Sequence, residues 1–191
     1  MKKLVCFGDS ITADETFFDG MPRLTPRLQE MFPNWIVVNA GVPGDNTFDA
    51  LNRIEEDVIS YKPDFVTVFL GTNDAVSFSQ VSLQAYKENL EKIVNQVSSD
   101  KVLLISPAPV DEERQHNRTN RVLSQYADVV EKVARETGSY FLNVFAEMIQ
   151  ERDYKRFVEN DEKDEKDGLH FGPEGYEYVA KLIGEKLKGI L

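Results

Sequence analysis

Five short runs of consecutive apolar, β-branched or aromatic residues punctuate this chain, at about 3–7 (KLVCF), 35–39 (WIVVN), 64–70 (DFVTVFL), 101–106 (KVLLIS) and 140–144 (YFLNV). Runs apolar on both alternate faces read as strands covered from two sides, not as strands with one wet face. Between them the period changes. Residues 47–60 place Phe48, Leu51, Ile54 and Val58 on one helical stripe, with Thr47 expected as N-cap and Asp49 in the first turn. Residues 82–98 repeat the pattern with Leu83, Tyr86, Leu90, Ile93, Val94 and Val97. Residues 118–137 do so with Val122, Tyr126, Val129, Val130 and Val133, and Gly138 stops the helix. A last helix starts at Pro173 and turns Tyr176, Val179, Ala180, Ile183 and Leu187 inward. A further helix is expected over 20–32, although Pro22, Pro26 and Pro33 crowd it.

Strands alternating with amphipathic helices predict an α/β fold: a three-layer α/β/α sandwich on a five-stranded parallel sheet, with about five helices. The length of 191 residues suits a single domain over 1–191 with a core that needs no disulfide. Residues 160–166 (NDEKDEK) read as a solvated loop. The one cysteine, Cys6, lies inside the first apolar run and reads as a buried core thiol. Before Asp9 stand two lysines and only a handful of apolar residues, too few for a secretory signal, and no run approaches the roughly 18 apolar residues of a spanning helix. A soluble, cytoplasmic protein is the expectation. The net charge of −11 repels phosphate backbones and anionic lipid heads, which argues against nucleic acid and direct membrane docking as partners, and the short apolar runs argue against stable membrane insertion.

The candidate chemistry sits at strand ends. Gly8-Asp9-Ser10 follows the first strand, Gly44 the second and Gly71-Thr72-Asn73-Asp74 the third, while Asp167-Gly168-Leu169-His170 precedes the last helix. Ligands of open α/β sheets bind outside the carboxyl ends of the strands. Taken singly, each residue has a structural alternative: Ser10 can cap a helix, Gly44 can make a turn and Asn73 an Asx-turn. Taken together they offer a nucleophile, a base with its orienting acid, and donors for an oxyanion. Ser10 would attack. His170 would be the base, since His116, the other histidine, lies in the polar run 112–118 of a surface loop, and Asp167 would fix the imidazole. The Ser10 N–H, the Gly44 N–H and the Asn73 amide would bind the oxyanion. Asp9, Asp45 and Asp74 read as cap and turn residues. The aromatic and aliphatic residues Phe17, Phe18, Phe48, Val76, Phe78, Val110 and Phe171 lie in or near loops of this edge and suggest an apolar acyl site, with Phe78, Val110 and Phe171 as the substrate-binding candidates.

Four blocks, Phe7-Gly8-Asp9-Ser10-Ile11-Thr12, Asn39 to Thr47, Gly71-Thr72-Asn73-Asp74 and Asp167-Gly168-Leu169-His170, resemble the SGNH or GDSL-type hydrolases in order and spacing over nearly the whole chain. The resemblance implies a flavodoxin-like fold with strand order 2-1-3-4-5, the triad Ser10, His170 and Asp167, an oxyanion hole of Ser10, Gly44 and Asn73, and no metal or cofactor. It implies hydrolysis of small-molecule carboxylic esters, thioesters, lysophospholipids or sugar acetates. Pro43 stands where the second block often has Ser, and Phe171 where a proline commonly follows the histidine. A carbohydrate O-deacetylase or an acyltransferase is a neighbouring reading. A non-catalytic flavodoxin-like binding domain would be a different class, but no Gly-rich phosphate loop supports it. A metal-dependent hydrolase built on Asp9, Asp45, Asp74 and His170 lacks any paired-histidine motif.

Overall fold

The computed structural model describes residues 1–160 and 167–191. Five parallel strands, β1 (Lys2–Gly8), β2 (Trp35–Gly41), β3 (Phe65–Phe69), β4 (Val102–Ile105) and β5 (Tyr140–Leu142), form one sheet in the order β2-β1-β3-β4-β5. The strand order reverses between β1 and β3, and both pair with their neighbours in parallel register, Gly8 opposite Gly41 and Phe69. The expected three-layer α/β/α architecture and strand order are therefore borne out.

Alternation along each strand builds two cores. Val5, Phe7, Val66, Val68, Val102 and Leu104 face one way, against helices α2 (Thr47–Asp57), α3 (Leu83–Val97) and α4 (Asn120–Thr137). Leu4, Cys6, Phe65, Phe69, Leu103 and Ile105 face the other way, against α1 (Leu24–Met31), α5 (Val144–Ile149) and α6 (Pro173–Lys188). Each such fully buried side chain stabilises the fold by roughly 1.5–3 kcal/mol. Cys6 is buried as expected, and burial pushes its thiol up to about 12, which makes it inert.

Three local expectations change. The N-cap of α2 is Asn46, not Thr47: Asn46 Oδ1 accepts from the N–H groups of Phe48 and Asp49 at 2.8 and 3.2 Å, and Asp49 reaches back to the Asn46 N–H. Thr47 is instead fully buried and bonded across the sheet edge. The helix expected over 20–32 begins only at Leu24, because Gly20 turns with φ 86° and Thr16 bridges Pro22. Pro26 then falls in the first turn, where no N–H partner is required. The tail of the fifth apolar run becomes α5, capped by Asn143, whose side chain accepts from Ala146 N–H at 2.9 Å. The solvated loop expected at 160–166 lies outside the described residues except for Asn160. Among the described residues no helix is long and apolar enough to cross a membrane.

Candidate active site

The chain leaves β1 through a tight turn. The Asp9 carbonyl accepts from Thr12 and Ala13 N–H at 3.1 and 2.9 Å, and its carboxylate accepts from Ile11 N–H at 2.9 Å, which holds Ser10 at the strand's carboxyl end. Asn39 on β2 pins this turn from the side: its Nδ2 donates to the Thr12 carbonyl at 2.8 Å and its Oδ1 accepts from Gly41 N–H at 2.9 Å. The Ser10 N–H donates to no protein acceptor among the described residues.

His170 reaches Ser10 from 160 positions away. Its Nε2 lies 2.9 Å from Ser10 Oγ, and its Nδ1 lies 2.5 Å from Asp167 Oδ2. The other carboxylate oxygen of Asp167 accepts from the N–H groups of Leu169 and His170 at 2.8 and 2.9 Å. Gly168 between them has φ 69°, a left-handed conformation that lets the two side chains meet three residues apart. The Gly168 carbonyl accepts from Asp111 N–H at 2.8 Å, which anchors this turn to the loop after β4. Burial alone would raise the Asp167 carboxyl, but its hydrogen bonds to the His170 side chain and backbone, and the imidazole charge, outweigh it and hold the group at about 2. It is a carboxylate at any working pH.

Gly44 has φ 88° and open space where a Cβ would stand, so its conformation, not close packing, is what calls for glycine. Its N–H also donates to no protein acceptor among the described residues. Arg53 clamps this loop: Nε meets the Asp45 carboxylate at 2.5 Å, while Nη1 and Nη2 donate to the Ala40 and Gly8 carbonyls, each at 2.9 Å. Asn73 completes the set. Its Nδ2 donates to the Asp45 carbonyl at 3.0 Å, and its Oδ1 accepts from Arg118 Nη2 at 2.8 Å.

The Asn73 loop is held from below by buried groups. Asp74 is fully buried and accepts from the Thr47 N–H at 3.0 Å and hydroxyl at 2.5 Å. Tyr86 donates to the Leu70 carbonyl at 2.9 Å and Tyr126 to the Asp74 carbonyl at 3.0 Å. Burial raises Asp74 to about 6 and Asp9 to about 7, against the N–H donors that favour their charged forms. The three turn aspartates thus face different partners. Asp45 pairs with Arg53, Asp74 with Thr47 and Asp9 with its own turn, and no group of three His, Cys, Asp or Glu among the described residues is arranged to hold a metal.

Ser10, Gly44, Asn73, Asp167 and His170 line one cleft of about 650 Å³. His116 is exposed and stands apart from it. The remaining walls are mostly polar: Asp14, Glu15, Thr16, Arg23, Arg118 and Asn160, with Phe18, Pro43 and Leu169. Of the apolar residues expected at this edge, Phe18 lines the cleft, whereas the three substrate-binding candidates do not. Val110 and Phe171 have no exposure at all and belong to the two cores, and Phe78 is 77% exposed outside the cleft. Phe171 stacks edge-on against Tyr176 in the core, which explains the aromatic after His170. Arg118, Arg23 and Glu15 were not legible as site residues. Arg118 ends a polar run indistinguishable from a surface loop, and its one signal is its place just before the Thr119 cap of α4, at the sheet edge that holds the motifs.

Known proteins are similar to most or nearly all of the chain. The profile of the GDSL-like Lipase/Acylhydrolase family matches residues 6–178. An acetylxylan esterase of Geobacillus stearothermophilus is 31% identical over 62% of this chain and 59% of its own length. The human isoamyl acetate-hydrolyzing esterase 1 homolog is 30% identical over 98% of this chain and 84% of its own. The crystal structure of the lipase/acylhydrolase from Enterococcus faecalis superposes with a TM-score of 0.89 at 32% identity, covering 99% of this chain and 96% of that one.

Proposed function

The chain belongs to the GDSL-like lipase/acylhydrolase family and is a carboxylic ester hydrolase, and we propose that it works through an acyl-enzyme on Ser10. The support for this lies chiefly in the relay from Asp167 Oδ2 through the imidazole to Ser10 Oγ, at 2.5 and 2.9 Å. Asp167 accepts a hydrogen bond from Nδ1–H, which fixes the tautomer and leaves Nε2 as a lone-pair acceptor facing the serine hydroxyl. Ser10 Oγ attacks the ester carbonyl carbon as His170 takes its proton. The carbonyl oxygen becomes an oxyanion, bound by the N–H groups of Ser10 and Gly44 and the free N–H of Asn73. Collapse breaks the bond to the alcohol, which leaves with the proton from His170. Water, deprotonated by the same imidazole, then attacks the acyl group and releases the acid and Ser10.

The cleft favours a short acyl group on a polar alcohol. Asp14, Glu15 and Arg23 on its walls suit hydroxyl groups better than a long chain. The acetylxylan and isoamyl acetate esterases among its relatives are named for acetate esters. A carbohydrate O-acetyl ester fits both facts.

Hydrolysis of p-nitrophenyl esters from C2 to C16, beside acetylated sugars and lysophospholipid, tests the substrate. Turnover should be greatest at C2–C4, and a maximum at C10 or beyond would overturn the polar reading. Ser10→Ala tests the nucleophile: activity should vanish with the melting curve preserved, as loss of a triad member costs orders of magnitude. An organophosphate adduct mapped to any other serine would remove Ser10 from the mechanism.

A further inference from the structure

Asn73 can serve an oxyanion only in one of its two amide orientations. A side-chain amide has a donor end and an acceptor end of nearly equal shape, and rotation by 180° would present its oxygen to the oxyanion instead. Two contacts decide the matter. Nδ2 faces the Asp45 carbonyl at 3.0 Å, and Oδ1 faces the Arg118 guanidinium at 2.8 Å. In the flipped amide both would turn repulsive, oxygen against carbonyl and NH2 against guanidinium. The arrangement spends one Nδ2 proton on Asp45 and leaves the other for the cleft.

We propose that Arg118 is a positioning residue of the oxyanion hole, which locks and polarises the Asn73 amide so that its free N–H is held toward the developing oxyanion. This rests on the oxyanion role given to Asn73 above. Arg118 is held in turn by a second bond, from Nε to the Thr72 carbonyl at 2.6 Å, so its planar fork grips two consecutive residues of the loop. Lysine, a single point donor, has no equivalent grip. A charged donor on the amide oxygen draws electron density from the nitrogen and strengthens its remaining N–H, the more so in a half-buried site. The link extends further, since the Asp45 carbonyl that accepts from Asn73 belongs to the residue after Gly44. One guanidinium therefore ties the side-chain donor to the loop that carries a backbone donor.

A double-mutant cycle with Asn73→Ala tests this, read as kcat and KM on p-nitrophenyl acetate with a melting curve for each variant. Arg118→Ala should lower kcat on the order of 10- to 100-fold with KM little changed, since displacing a catalytic group by about 1 Å costs about 10². In the Asn73→Ala background the same change should cost less than about twofold, because Arg118 acts only through the missing amide. Equal losses in both backgrounds would overturn the proposal and place Arg118 in direct contact with substrate. An Arg118→Lys variant with wild-type kcat would overturn the fork. If Asn73→Ala keeps kcat within about threefold, the oxyanion assignment itself falls, whatever Arg118 does.

Discussion

Asp167→Asn changes one atom and should cost four orders of magnitude. In the native protein Asp167 Oδ1 accepts from two backbone N–H groups at 2.8 and 2.9 Å, and Oδ2 accepts from His170 Nδ1 at 2.5 Å. Asparagine has one oxygen for these two duties. If it stays with the backbone donors, its NH2 faces Nδ1, which must then be unprotonated. The ring proton moves to Nε2, 2.9 Å from Ser10 Oγ, where it cannot accept the serine's proton. If the amide flips, the ring keeps its tautomer but two backbone N–H groups lose their acceptor, at about 1–3 kcal/mol each when buried. Asp167 is about half buried, so the lower end applies, and the wrong tautomer still predominates. The same substitution in a Ser-His-Asp protease lowers kcat about 10⁴-fold, and at about 1.36 kcal/mol per decade that is about 5.4 kcal/mol of barrier. Steady-state hydrolysis of p-nitrophenyl acetate at pH 7.5 measures it, and a melting curve should show little change. A kcat within about tenfold of wild type, in a folded variant, would refute the tautomer argument, because the wrong tautomer is expected to cost about 10⁴.

His170→Ala should be nearly inactive while His116→Ala is unaffected, and steady-state kinetics showing the reverse would dissolve the pairing of Asp167 with His170. Asp9→Asn should change stability with pH in a set direction. Burial raises Asp9 from 3.8 to about 7, so its contribution is complete below pH 4 and is lost as the group ionises up to about pH 7. The variant should therefore melt with wild type near pH 4 and above it at pH 8, and a difference in melting temperature that is constant over that range would contradict the burial argument.

Much of this molecule was legible along the chain. The apolar runs and helical stripes predicted a parallel sheet and its two-sided core, because a strand buried on both faces and a helix buried on one are written in windows of five to fifteen residues; the strand order came from the family resemblance. The motifs at the strand ends carried the candidate site for a similar reason: Asp167, Gly168 and His170 are close neighbours, and a left-handed glycine joins them. Boundaries failed where a few residues compete, as when Asn46 rather than Thr47 caps α2 and Gly20 delays α1. The cleft's lining was decided only in three dimensions. Whether Val110 and Phe171 face substrate or core depends on which way α6 and the loop after β4 pack, and both went to the core. Arg118 meets Asn73 across 45 positions, and Thr47 meets Asp74 across 27. No local period records such pairs, because their partners are chosen by the sheet order that brings the ends of β2, β3 and β4 to one edge.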